Sequence, residues 1–292
     1  MSASYEQPVG LVGGDHVASF DSFTVKPVTP VLSAEISGIQ LGDSLTELQV
    51  QDIHDALLNY QVIFFRDQNM TRDQQIILGR RFGSLHCHPA IPGPEGYPEI
   101  LMLHSDEKRQ NAASAWHSDV SCDDVPNLGS ILYGVEIPES GGDTCFASMY
   151  AAYDALSGPM QEFLCGLTAV HESEHVFSKI DDTVAVYPTA EHPLIRTHPE
   201  TGRQALFVNS VFTTGIKELD KQEAQAVLQF LFRHIETPEF HVRFQWQKNS
   251  VAFWDNRCTQ HRAIADFFPQ TRTMQRVTIN GSKPFYRPRA RP

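Results

Sequence analysis

Residues 116–119 read Trp-His-Ser-Asp, and this short stretch holds side chains able to bind a metal. His117 and Asp119 stand two apart, so on extended backbone both leave the same face and can reach one ion. A third candidate ligand comes downstream in Trp254-Asp255-Asn256-Arg257-Cys258-Thr259-Gln260-His261, where an apolar run turns through a polar segment and ends on His261. Two histidines and one carboxylate make the facial set of non-haem iron(II) oxygenases, with positions left open for a chelating cosubstrate and dioxygen. The same donors suit zinc with an open position, so a zinc hydrolase stands beside the oxygenase reading. A non-catalytic binding protein on the same fold is a third.

Two further motifs carry polar groups suited to anions. Gly141-Gly142-Asp143-Thr144 is one, and Arg272-Thr273-Met274-Gln275-Arg276 is the other. Arg272 and Arg276 share a face if the segment is a strand, separated by roughly 13 Å at about 3.3 Å per residue. Two inward arginines at that spacing can hold two different anions. A bidentate guanidinium with a hydroxyl donor beside it suits a carboxylate. In order and spacing, His117-Ser118-Asp119, Gly141–Thr144, the 254–261 segment and Arg272–Arg276 resemble the taurine dioxygenase family, which includes alkylsulfatase and phenoxyalkanoate dioxygenases. The likeness runs from Phe23 to Arg287.

That resemblance implies a mainly β chain with flanking helices, folded as a double-stranded β-helix (jelly roll). It implies iron(II) on His117, Asp119 and His261, with 2-oxoglutarate and dioxygen as cosubstrates. The far carboxylate of 2-oxoglutarate is expected on Arg272 and Thr144. Arg276 and His88 match the family's positions for the substrate anion, and Phe177 and Phe212 match the aromatic walls. Two positions depart from the taurine pattern. Ile91 and Ala113 stand where a tyrosine and an asparagine are expected, which removes polar partners and leaves apolar surface. A small organic anion with an apolar body is therefore expected over a short zwitterion, because an unpaired polar group costs heavily in discrimination. The resemblance also implies a homo-oligomer, a dimer or tetramer.

The elements that must position these residues can be read from periodicity. Leu45, Leu48, Ile53, Leu57 and Leu58 give a helix over Ser44–Asn59, and Val62–Phe65 is a short apolar strand. Thr71-Arg72-Asp73-Gln74 forms a capping box for a helix that stops at Gly83. Helices are also expected over Met149–Leu156, Ser157–Gly166 and Lys221–Ile235. Early strands are expected around Phe23, Val25 and Val28, then Val31 and Leu32, broken by Pro27 and Pro30. Further strands are expected over Ser130–Ile137, Ala205–Thr213, Val242–Trp246, Ser250–Trp254 and Thr273–Ile279. Long loops are expected over Cys87–Glu99, His104–Trp116 and Phe177–Glu191. Short strands in both halves with a few outer helices fit a sandwich or jelly roll. Residues 1–20 read as a loose leader, and 21–292 as a single domain.

Composition narrows the partners. With 23 basic and 35 acidic residues the net charge is −12, without the basic footprint a nucleic-acid surface needs. The five cysteines are scattered and never spaced Cys-x-x-Cys, which supports neither a disulfide framework nor a zinc ribbon. There is no basic-then-apolar leader and no run long enough to span a membrane. A cytoplasmic protein is expected.

Overall fold

The structure, a computed structural model, describes residues 20–42, 44–87, 93–108, 113–178 and 186–288. The expected leader therefore lies outside the described residues except for Phe20, and so do His88 and Ile91.

Strands β1 (Thr24–Pro27) and β2 (Ala34–Ser37) precede α1 (Glu47–Tyr60), β3 (Val62–Phe65) and α2 (Arg72–Arg80). After β4 (Leu101–Ser105) come β5 (Gly129–Glu136), β6 (Thr144–Ser148), α3 (Met149–Asp154), α4 (Gly158–Leu164), β7 (Thr168–Glu172) and α5 (Glu174–Phe177). The chain continues through β8 (Thr189–Pro193), β9 (Ile195–Thr197), β10 (Gln204–Leu206) and β11 (Thr213–Ile216) to α6 (Lys221–Ile235). It closes with β12 (His241–Phe244), β13 (Val251–Asp255), β14 (Thr259–Ala263) and β15 (Arg272–Ile279).

A seven-stranded sheet in the order β1-β2-β3-β13-β5-β15-β4 forms the frame, with one parallel pair, β2 and β3. Its central strands bury both faces, which is why β3 is apolar throughout (Val-Ile-Phe-Phe) rather than alternating. Ile63, Phe65, Ile131, Tyr133, Phe253 and Val277 form one core with Ile53, Leu57, Ile76 and Leu78 from α1 and α2. On the other face Val62, Phe64, Leu132, Trp254 and Met274 meet Phe146 and Ala147 of β6, with Leu228 and Leu231 of α6 in the same core. The small sheet β12-β6-β14 lies on that inner side. Met274 faces inward, so Arg272 and Arg276, each two residues away on β15, share its face.

Element ends differ from expectation for local reasons. Helix α1 starts at Glu47 rather than Ser44, because Thr46 is the N-cap and forms a capping box with Gln49. The Thr71 capping box is present, but α2 ends at Arg80, and Gly83 lies beyond the turn at φ +153°. The second early strand begins at Ala34. Val31 and Leu32 sit in the preceding turn, where Thr29 Oγ1 accepts from Leu32 N and Ser33 has a φ of +73°. The expected strand over Ala205–Thr213 is two strands, β10 and β11. Between them Asn209 Oδ1 accepts from Val211 N and Phe212 N at 3.2 and 2.9 Å, which turns the chain. Among the described residues no helix is long and apolar enough to cross a membrane.

Candidate active site

The strand end at His117 meets β14 through a two-residue antiparallel bridge. His117 N donates to His261 O at 3.1 Å, and His261 N donates to His117 O at 2.9 Å. The two imidazole rings lie 4.3 Å apart, and each Nε2 stands 3.9 Å from Asp119 Oδ1. All three donor atoms fall within 4.8 Å of one another in a buried setting.

The donor set fits a ferrous ion. His117 Nδ1 donates to Ala115 O at 2.9 Å, so its Nε2 presents a lone pair toward Asp119. Burial above all pushes the His261 pKa down to about 3, so His261 is neutral and able to ligate at neutral pH. Burial raises the Asp119 pKa, but the Arg276 guanidinium beside it outweighs this and holds the carboxyl well below the usual carboxylate range. Asp119 Oδ1 accepts from Arg276 Nη1 at 2.8 Å, and Oδ2 accepts from Ser130 Oγ at 3.3 Å.

Arg272 lies on the same cavity wall as Arg276. Its Nη2 donates to Thr144 Oγ1 at 3.4 Å, while Trp246 Nε1 donates to the same oxygen at 2.9 Å. With both contacts accepted, the Thr144 hydroxyl proton is left to donate elsewhere. Burial pushes the Arg272 pKa down to about 10, which leaves it charged at neutral pH. The glycines before Thr144 make room for this arrangement. Gly142 has φ +71°, and a Cβ there would stand 3.1 Å from Arg272 Cδ.

Triad, Thr144, Arg272 and Arg276 line one cavity of about 220 Å³, together with Phe177, Phe212 and Ala113. The Phe177 and Phe212 rings meet edge to face at 6.0 Å. Of the residues singled out from sequence, His88 and Ile91 lie outside the described residues, and the structure brings all the others together. It adds Leu101, Leu103, Val120, Leu132 and Phe267, which sequence reading missed. The Leu101-x-Leu103 alternation was the available signal, since β4 lies beside β15 with Arg276 paired to Leu101.

Among the described residues a second group of ligand types, His198, Asp255 and Cys258, is also clustered and buried. Its carboxylate is already occupied. Arg257 donates to Asp255 through Nε at 2.8 Å and Nη2 at 2.7 Å, and His198 Nε2 donates at 3.0 Å. Burial keeps the Cys258 thiol protonated. This cluster secures the turn ahead of His261 and is not a metal site.

Comparison with known proteins places these features in a family. The family described as "Taurine catabolism dioxygenase TauD, TfdA family" matches residues 24–278. An alpha-ketoglutarate-dependent sulfate ester dioxygenase from Pseudomonas putida is 36% identical, with 94% of each chain covered. An alkylsulfatase from Acinetobacter baylyi is 36% identical over 88% of this chain and 84% of its own. A solved taurine dioxygenase from Burkholderia xenovorans superposes with a TM-score of 0.81 at 37% identity, covering 90% of this chain and 91% of that one. The match sets aside the zinc-hydrolase and binding-protein readings: the chain belongs to the TauD/TfdA dioxygenase family and is a 2-oxoglutarate-dependent oxidoreductase that uses iron(II) and dioxygen.

Proposed function

We propose that His117, Asp119 and His261 hold the iron and that the enzyme hydroxylates a small organic anion with an apolar body, a sulfate ester or sulfonate before a carboxylate. One observation carries the reading. A single apolar-walled cavity is shared by the triad and by two arginines, Arg272 and Arg276. Guanidinium groups that line an apolar cavity call for anionic ligands.

Bound iron, with 2-oxoglutarate and dioxygen, supplies the oxidising power that turns a substrate C–H into C–OH while 2-oxoglutarate becomes succinate and carbon dioxide. The chain's own residues bind and orient. Arg272 and the Thr144 hydroxyl take the far carboxylate of 2-oxoglutarate. Arg276, with His88 by resemblance, takes the substrate's anion, and so places the adjoining carbon near the triad. Phe177, Phe212, Ala113, Leu101, Leu103 and Phe267 exclude water around the body of the substrate, with Ile91 expected beside them. Among the described lining residues only Asp119 is anionic, so a substrate ammonium would lack a partner. The sulfate ester dioxygenase and alkylsulfatase relatives support the same preference.

The two sheets that line the cavity support a double-stranded β-helix with the triad inside it. We read residues 21–292 as one oxygenase domain that works as a cytoplasmic homo-oligomer.

The test is succinate formation by the iron-loaded enzyme with 2-oxoglutarate and oxygen, across taurine, medium-chain alkyl sulfates, alkanesulfonates and aryloxyalkanoates. Strong stimulation by an apolar-tailed sulfate or sulfonate, with taurine poor, is the expected result. Best stimulation by taurine would overturn the substrate reading and keep the chemistry. Absence of succinate from iron-bound enzyme with every anion would overturn both.

A further inference from the structure

The residue after the Asp119 ligand adopts a backbone conformation that its type disfavours. Val120 has φ +42°, in the left-handed region that a β-branched residue rarely enters. Such a conformation persists only where its surroundings over-determine it. Two contacts from one side chain hold the Asp119 backbone, and a third ties that side chain to Asn127. Asn256 Oδ1 accepts from Asp119 N at 2.8 Å, and Asn256 Nδ2 donates to Asp119 O at 3.0 Å and to Asn127 O at 3.3 Å. The amide is fully used, and Asn256 is 1% exposed. Its own backbone is fixed in turn, with Asn256 N donating to Leu128 O at 2.8 Å. Beyond Val120, Ser121 Oγ accepts from Asn209 Nδ2 at 2.8 Å and contacts His171 Nδ1 at 3.0 Å, which anchors the far end of the turn.

We propose that Asn256 is a positioning residue for the metal site, a clamp that keeps the Asp119–Val120 peptide in its strained form and so aims the Asp119 carboxylate at Nε2 of His117 and His261. Asn256 touches neither substrate nor metal donor atoms; it acts through the Asp119 backbone. Removing the clamp lets the turn relax to an ordinary φ, and the carboxylate swings out of line. Glycine at position 120 carries no penalty at positive φ, so it removes the drive to relax.

This inference rests on the assignment of the triad as the metal site. Its test is the affinity of the full chain for Mn(II), titrated calorimetrically without oxygen or 2-oxoglutarate, with circular dichroism confirming the fold. Asn256→Ala is expected to weaken Mn(II) by roughly tenfold or more, in the range of outer-shell metal-site changes. The double variant N256A/V120G is expected to recover most of that loss, which a general loosening of the fold would not do. Wild-type affinity in N256A, or an unrescued loss in the double variant, would overturn the clamp. Failure of the unaltered chain to bind Mn(II), or undiminished binding by His261→Ala, would instead overturn the triad assignment. Should N256A not fold, Asn256→Ser is read in the same way, alone and with V120G.

Discussion

Arg276 Nη1 donates a 2.8 Å hydrogen bond to Asp119 Oδ1, the same oxygen that stands 3.9 Å from Nε2 of both His117 and His261. The proposed substrate arginine and the proposed metal carboxylate are thus in direct contact, and an anion on Arg276 is held beside the triad rather than at the cavity mouth. Arg276→Ala should raise the KM for the organic substrate by about tenfold or more, as loss of a buried charge-assisted contact does, and change the KM for 2-oxoglutarate far less. Steady-state kinetics with each substrate varied in turn will separate the two. Equal effects on both would refute the division of labour.

Arg272 carries the other half of that division. Arg272→Ala should raise the 2-oxoglutarate KM on the order of 100-fold, because a buried, charged, hydrogen-bonded partner is lost. Thr144→Val should act in the same direction and more weakly, since one neutral donor is removed. Mn(II) affinity measured without 2-oxoglutarate should be unaffected by either change. A 2-oxoglutarate KM that stays at the wild-type value in R272A would remove the anchor assignment.

Asp255 holds the turn before His261 and is buried beside two arginines and a histidine. Burial raises its pKa, but Arg257 and His198 outweigh this and hold the carboxyl far below the usual range. Asp255→Asn leaves Arg257 with Glu200 and strips Arg196 of its nearby countercharge, Arg196 being 1% exposed. Breaking a buried pair of this kind should destabilise the protein by about 3 kcal/mol. Urea unfolding with an unchanged m-value is the measurement, and a shift below about 1 kcal/mol would show the network to be dispensable.

A pH dependence follows from His171. Burial, with a smaller contribution from His192, pushes its pKa down to about 3. The folded protein therefore keeps His171 neutral where the unfolded chain, titrating near about 6.5, takes up a proton. More protons on the unfolded side mean that stability falls as pH drops through this window. His192 is shifted in the same direction. The melting temperature should decline from about pH 6.5 downward, and less steeply in His171→Gln. Parallel slopes for the two proteins would rule His171 out as a contributor.

Much of this architecture was legible because its signals are local. The Thr71 and Gln74 capping box, the all-apolar Val62–Phe65 strand and the Ala-, Gln- and Leu-rich Lys221–Ile235 helix each carry their own instruction, and the last two match expectation at both ends. Strands β6, β7, β8, β9 and β14 were not anticipated. β8 reads Thr-Ala-Glu-His-Pro, with only Ala190 and His192 buried, and its partner β7 supplies what its composition lacks. The expected loop from His104 loses its first two residues to β4, which is held by pairing with β15 and not by its own propensity. At the site, the residues proposed as ligands and anion anchors could be picked out because their chemistry is carried by residue type, and the structure brings the described ones into one cavity. Asn256 could not. Nothing in an asparagine after an aspartate says that its amide will close on a peptide bond far away in the chain.

The backbone bridge between His117 and His261 has a consequence for how the enzyme comes into being. About half the chain separates the two residues, yet each supplies the backbone hydrogen-bond partners of the other. On the proposed triad, a chain still being synthesised has no complete metal pocket until residue 261 has emerged and bridged to His117. The bridge would then tie iron binding to the closure of two distant parts of the chain.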